Sequence, residues 1–316
     1  MHRIDGPGAT VDNKFTEGDP VGGVPATVVT DDFLNDVQEE LMTLLSAGGV
    51  TPVKGTQDQV LQSIRKISSG VVGQVRNLKC FVSAASATAT FTADEVIVET
   101  ALGGLRYCLP SFNKTINLGT TGAGGMDTGT APISGFVAIY AILNPVTGVS
   151  ALLAVNATAV VAPEVYGGGN MPAGYTASAL LAVVPTNASS QFIACFIEDR
   201  ECMFPQILVA NTAVQIPSFT ALSIASATPR NAKSVSGFAT VAGTNTTNAQ
   251  LVLSSALVGI GQLQVGGNST YGGIQNVSAS PFNSLKIILS QTIYWFSTAG
   301  SGTYGGATVY ISGYRF

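Results

Sequence analysis

The chain has 316 residues, of which 46% are apolar and only 10% charged, with 36 glycines and a formal net charge of −4. Roughly a quarter of an average soluble protein is charged, so this chain has little charge with which to keep a bare surface apart from other surfaces. Its longest apolar runs, such as 136–143, stop near eight residues, far short of the ~20 of a spanning helix, and it has no Lys/Arg block, so neither membrane insertion nor nucleic-acid binding is expected.

Charge divides the chain into three parts. Residues 1–70 hold ten acids against five bases, residues 71–205 eight against five, and residues 206–316 no acid at all. Arg230, Lys233, Lys286 and Arg315 are the only charged side chains of the last part. These shifts predict an amino-terminal segment 1–70, a middle domain 71–205 and a carboxyl-terminal domain 206–316. The first residues lack the apolar core of a secretory signal, so the chain is expected to be made in a cytoplasm.

In chain order, 1–29 are rich in Gly, Pro, Asp and Thr, which reads as an extended arm, disordered when alone. From Asp31, apolar residues at Phe33, Leu34, Val37, Leu41, Leu44 and Leu45 share one helical face, acids gather toward the helix start, and Gly48-Gly49 ends it. A second helix is expected over 56–67, with Thr56-x-x-Gln59 in capping-box form and a stripe of Val60, Leu61, Ile64 and Ile67. Two short amphipathic helices cover both stripes poorly against each other, so copies from other chains are expected to complete the bundle, with a small helical hairpin packed on the next domain as the alternative.

After residue 70 the texture turns to β-branched and aromatic runs separated by Gly, Asn, Pro and Ser. The fold class is therefore mainly β: a short helical segment followed by two antiparallel β-sandwich-like domains. Expected strands include 79–83, 88–91, 95–100, 135–143, 150–155, 179–184 and 192–197. In the last part they include 207–209, 220–224, 236–241, 251–258, 286–289, 292–296 and 307–313.

Most catalytic constellations are missing. The one histidine, His2, lies in the arm, so no Ser-His-Asp or Cys-His arrangement can form within a β domain. Glycoside hydrolysis needs two carboxyl groups, which 206–316 cannot supply; a depolymerase would have to use Asp127, Glu164, Glu198 and Glu201 at a subunit seam. Glu198-Asp199-Arg200-Glu201 reads as a solvated hairpin turn, and Gly300-x-Gly302-x-x-Gly305 as a loop between strands rather than a phosphate cradle. Cys80, Cys108, Cys195 and Cys202 have no metal-ligand spacing and read as buried thiols. No metal, cofactor or enzymatic activity is expected. Alternation in Tyr294-Trp295-Phe296 puts Trp295 on the face opposite its neighbours, so at least one large ring should lie near the surface or a subunit seam, with core and trimer packing as the other reading of any one ring. Tyr271 and Tyr304, beside Gly pairs, read as exposed loop rings.

Phe15-Thr16-Glu17-Gly18-Asp19-Pro20, Pro25-Ala26-Thr27-Val28-Val29-Thr30, the run from Phe33 to Leu41, Ala47-Gly48-Gly49-Val50-Thr51-Pro52 and 57–64 together resemble the amino terminus of tailed-bacteriophage tail fibre proteins. The stretch 172–180 and the closing Ile311-Ser312-Gly313-Tyr314-Arg315-Phe316 resemble β-rich portions of similar fibres. The resemblance implies an intertwined homotrimer of the virion tail. It would be fixed to tail or baseplate proteins by its amino-terminal part, with Phe15, Asp19, Pro20, Phe33, Val37, Leu41 and Leu44 as attachment and trimerisation residues. The carboxyl-terminal part would then touch the bacterial surface. An acid-free, net-positive tip suits a phosphate-bearing surface polysaccharide of the lipopolysaccharide kind, with Tyr271, Trp295, Tyr304, Arg230 and Lys233 as candidate contacts. The alternatives are a structural baseplate or decoration role without receptor binding, and a short polysaccharide depolymerase using the middle-domain carboxylates.

Overall fold

The computed structural model describes residues 2–67, 70–245, 248–268 and 275–316. They form two compact units, residues up to Gly70 with Gly103–Arg106, and Val71–Leu102 with Tyr107–Phe316.

In the first unit, helix α1 spans Asp31–Ala47 and helix α2 spans Gln59–Ile67. Thr30 caps α1 by accepting a hydrogen bond from the Phe33 amide, and Asp31 and Asp32 set negative charge at the positive end of the helix dipole. The helix stops at Gly48, where a Cβ would lie 2.7 Å from the Ser63 Cα, so only glycine lets α2 approach this closely. Helix α2 begins three residues later than Thr56 suggests. The Gln59 amide accepts from the Val53 N–H (2.7 Å) and donates to the Val53 and Thr56 carbonyls (2.8 and 2.9 Å), which holds 53–56 as a loop instead of a first turn.

The arm is folded rather than extended. Asp19 and Val24 exchange backbone hydrogen bonds, Thr27 donates to Thr16, Val28 donates to Pro7, and Ile4 is buried. Glycine turns allow the arm to double back and satisfy its own backbone groups. The helical stripes stay open: Leu45 is the one buried apolar residue of α1, while Leu34, Leu41, Leu61, Ile64 and Ile67 are 46–56% exposed.

The second unit is antiparallel β throughout its ladders. Its strands are β1 (Val75–Arg76), β2 (Lys79–Val82), β3 (Thr88–Glu99), β4 (Arg106–Asn117), β5 (Phe136–Leu143), β6 (Ser150–Asn156), β7 (Ala177–Pro185) and β8 (Cys195–Glu198). They continue with β9 (Glu201–Thr212), β10 (Ile216–Ser223), β11 (Ser234–Thr244), β12 (Ala249–Ser254), β13 (Leu263–Asn268), β14 (Gln275–Lys286), β15 (Thr292–Thr298) and β16 (Thr303–Arg315). Twelve of them make one sheet, in the order β14-β11-β16-β9-β8-β2-β3-β7-β5-β6, with β1 and β4 also paired to β3. The other four form a sheet ordered β10-β15-β12-β13.

Strands β5 and β7 are apolar without alternation because both faces are covered, and every residue of each is buried. Strand β3 alternates buried and exposed residues, as one covered face requires. The division expected at 205 does not separate two domains. Strand β9 crosses it unbroken, pairing with β8 on one side and β16 on the other, so chain from both sides of Pro205 builds the same sheet and one core. The loss of acidic residues there marks a change of surface chemistry, not of folding unit. Among the described residues no helix is long and apolar enough to cross a membrane.

Candidate functional site

The β8–β9 hairpin turns through Asp199, which adopts φ +49 and is tied to Leu78 through its backbone N–H (3.0 Å) and its carboxylate (3.2 Å). The next residue, Arg200, leaves this turn toward the protein, not toward solvent. Its guanidinium donates to both carboxylate oxygens of Glu164, at 2.9 and 2.8 Å, and its Cζ lies 5.1 Å from the centre of the Phe316 ring. This is the bidentate geometry in which a planar guanidinium holds a carboxylate most firmly.

Glu164 belongs to the long connection between β6 and β7. The buried Tyr140 donates its hydroxyl to the Pro163 carbonyl (2.8 Å), and burial, with Glu164 nearby, pushes the Tyr140 phenol well above its ordinary pKa, so it stays a neutral donor. Asn231 accepts from the Ala162 N–H (2.9 Å) and donates to the Ala162 carbonyl (2.8 Å), clipping this connection to the segment before β11. The Phe316 amide in turn donates to the Arg200 carbonyl (3.2 Å).

These ties enclose a cleft of about 430 Å³. Val161, Ile287 and Ile288 give it apolar walls, Arg200, Glu164 and Phe316 line it, and Arg230, Asn231, Lys233 and Ser290 supply its polar groups. The Lys233 backbone is fixed on both sides, donating to the Arg315 carbonyl (2.7 Å) and accepting from Ile287 (2.9 Å), which leaves its side chain at the opening. Glu164 neutralises Arg200. Arg230 and Lys233 are exposed and have no ion-pair partner among the described residues, so the cleft carries excess positive charge beside an apolar wall. Arg200 Nε is buried without a hydrogen-bond partner among the described residues. Such a lining can hold an anionic group of a ligand whose remaining surface is apolar or hydroxylated.

The structure thus brings Arg230 and Lys233 together and separates them from the aromatic candidates. Trp295 is buried, 6% exposed, at the centre of β15, and belongs to the core rather than to a contact surface. Strand β15 turns Ile293, Trp295 and Ser297 inward and leaves Tyr294 and Phe296 on the open face. Tyr304 is not an exposed loop ring either: it lies in β16, half-buried, and its hydroxyl donates to Ser297 Oγ at 2.7 Å. Tyr271 lies outside the described residues. Sequence reasoning missed Arg200, whose acidic neighbours mark a turn but do not show that Glu164 and Phe316 wait for its guanidinium.

In the first unit, Phe15 and Phe33 meet edge to face with ring centres 5.4 Å apart, and Asp19 and Pro20 form an exposed turn in which the Asp19 carboxylate accepts from the Val21 N–H. Val37 and Leu44 are half-buried and Leu41 is exposed. The four middle carboxylates are engaged separately: Asp127 accepts from the Tyr166 hydroxyl (3.0 Å), Glu164 from Arg200, and Glu198 and Glu201 lie 3.7 and 4.0 Å from Lys79 and Arg315.

Cys80, Cys195 and Cys202 are buried, and desolvation pushes the Cys80 thiol up to about 12. Cys108, expected to be buried like them, is exposed, because it sits on the outward face of β4. No group of His, Cys, Asp and Glu able to hold a metal ion occurs among the described residues.

No family model matches the chain. A stretch of 73 residues is 41% identical to the uncharacterized protein StfP of Escherichia coli (strain K12), covering 21% of this chain. The match spans 35% of that protein, about a third of its length.

Proposed function

We propose that the chain is the subunit of a homotrimeric bacteriophage tail fibre that docks on tail or baseplate proteins through its amino-terminal unit and recognises a bacterial surface polysaccharide without breaking a bond. The observation that carries receptor recognition is the cleft: two cations without an ion-pair partner among the described residues, Arg230 and Lys233, stand over apolar walls in an otherwise acid-free stretch of chain. A phosphate- or carboxylate-bearing sugar supplies the matching charge, and three copies of a weak site on one trimer add avidity.

The open stripes of α1 and α2 support self-association. A lone chain leaves Leu34, Leu41, Leu61 and Ile64 about half exposed, and covering what remains open of each is worth about 1 kcal/mol, half or so of the value for full burial. The amino-terminal run from Phe15 to Leu41, which resembles the attachment end of tail fibres, supports the docking assignment. The test is adsorption of the labelled full chain to isogenic bacteria with and without surface polysaccharide. Strain-selective adsorption that vanishes with the polysaccharide is expected; equal adsorption to both, or none to any strain including the phage host, overturns the reading.

A further inference from the structure

The four-stranded sheet β10-β15-β12-β13 has an inner face, carrying Trp295, and an outer face that the cleft does not use. None of its four strands contains a charged residue. On the outer face the register places Phe296 opposite Val252, Thr298 opposite Gln250, and Tyr294 between Ser254 and Ala221. Phe219, on β10, packs edge to face on Phe296 with ring centres 4.9 Å apart.

A row of amides runs beside the rings. Gln264 donates to Gln250 Oε1 at 3.3 Å, and Gln250 donates to the Thr298 hydroxyl at 3.3 Å. This relay fixes the orientation of both amides and leaves acceptor capacity on the exposed Gln264. The Tyr294 hydroxyl, half-buried at the other side of Phe296, has no hydrogen-bond partner among the described residues.

We infer that this face is a second carbohydrate site, one that takes an uncharged pyranose ring. Ring CH groups pack on the Phe296 and Tyr294 faces, and hydroxyls pair with Gln264, Gln250 and Tyr294. An anionic group gains nothing here, because no cation lies on the four strands. A second copy of the chain fits less well. A stable protein interface buries roughly 800 Å² per partner around an apolar core, whereas Phe219, Tyr294 and Phe296 are each already half-buried and Val252 is almost wholly so. On the strands themselves the open apolar surface is limited to parts of these three rings; the more exposed apolar groups Leu257, Val258 and Ile260 belong to the β12–β13 connection. The inference rests on the proposed polysaccharide recognition and names a neutral residue of the same class of ligand.

The experiment is calorimetric titration of the full chain with a panel of uncharged gluco-, galacto- and manno-oligosaccharides. It is repeated with Gln264→Ala, Tyr294→Phe and the cleft variant Lys233→Glu, with oligomeric mass measured for each. At least one probe should bind the wild type, with Kd raised about tenfold by either sheet variant, as loss of one or two ligand hydrogen bonds requires, and unchanged by Lys233→Glu. Three results overturn the inference: no uncharged probe binds although host cells are still adsorbed, binding is lost in Lys233→Glu but kept in Gln264→Ala, or a sheet variant lowers the oligomeric mass. Failure of adsorption to every strain instead removes the polysaccharide reading on which it stands.

Discussion

Replacing Trp295 with alanine separates a core role from a contact role. An indole buries about 150–250 Å². At 94% burial and about 25 cal/mol per Å² this is worth roughly 4–6 kcal/mol, and allowing for a compact unfolded chain brings it to about 3–5 kcal/mol. Large-to-small substitution at buried aromatic sites covers the same range. The neighbouring Tyr294→Ala, on the outer face, should cost less, since part of its ring stays in water in both states. The assay is urea unfolding followed by circular dichroism at fixed chain concentration, because coupling to assembly shifts the midpoint with concentration. In the wild type, Trp295 is the single tryptophan, so its emission should be blue-shifted when folded and move to the red on unfolding. A Trp295→Ala protein within about 1 kcal/mol of wild type, or water-like emission from the folded protein, would refute the burial argument.

Three further outcomes follow from other parts of the structure. His2 sits 2.6 Å from the Asp36 carboxylate, which, with Asp5 nearby, raises the imidazole pKa above 6.5 and lowers that of Asp36 below 3.8; the tie is complete between these values, weakens as pH rises through the raised His2 pKa, and weakens again as pH falls through the lowered Asp36 pKa. An NMR titration should place the His2 midpoint above 6.5, and removing the partner with Asp36→Asn should lower it; a midpoint at or below 6.5 in the wild type contradicts the pairing. Of the four thiols, Cys108 alone should react with a thiol reagent in the native protein, and slowly, since partial burial and Glu95 raise its pKa, while all four react in denaturant; native labelling of Cys80, Cys195 or Cys202 would show that the β2–β8–β9 core opens. Asn231→Ala removes both hydrogen bonds to Ala162, at about 0.5–1.5 kcal/mol each, and should lower stability by about 1–3 kcal/mol while weakening adsorption, whereas unchanged adsorption would mean that the clip does not shape the cleft.

Much of the fold can be read from the sequence where one physical signal dominates. The run 136–143 is a strand because eight consecutive apolar residues with β-branched members suit a strand covered on both faces, and β5 is that strand. Helix α1 follows from its stripe, its acidic start and the glycines after it. Strand β14 is not legible: its sequence, QNVSASPFNSLK, carries Pro, Asn and Ser and is held by its ladder with β11 rather than by its own propensity. Strand β4 is hidden in the same way, with Pro110 and a left-handed Ser111 (φ +50) inside it.

The candidate site divides similarly. Alternation shows that Trp295 and its neighbours point to opposite faces, but only the second sheet decides which face is inside. Arg230 and Lys233 stand out as rare charges in an acid-free stretch. Arg200 does not, because the groups that fix it, Glu164 and Phe316, are 36 and 116 positions away along the chain, a separation that no local pattern encodes.

The most direct test of receptor recognition through the cleft is quantitative adsorption to host cells of the wild type and of Arg230→Glu/Lys233→Glu, over a range of salt concentrations. Both side chains are exposed, so the doubly reversed protein should fold and keep the oligomeric mass of the wild type. The account predicts wild-type adsorption that weakens with salt, and a variant that binds at least about tenfold more weakly with little salt dependence. Equal adsorption of the two proteins at every salt concentration would contradict it.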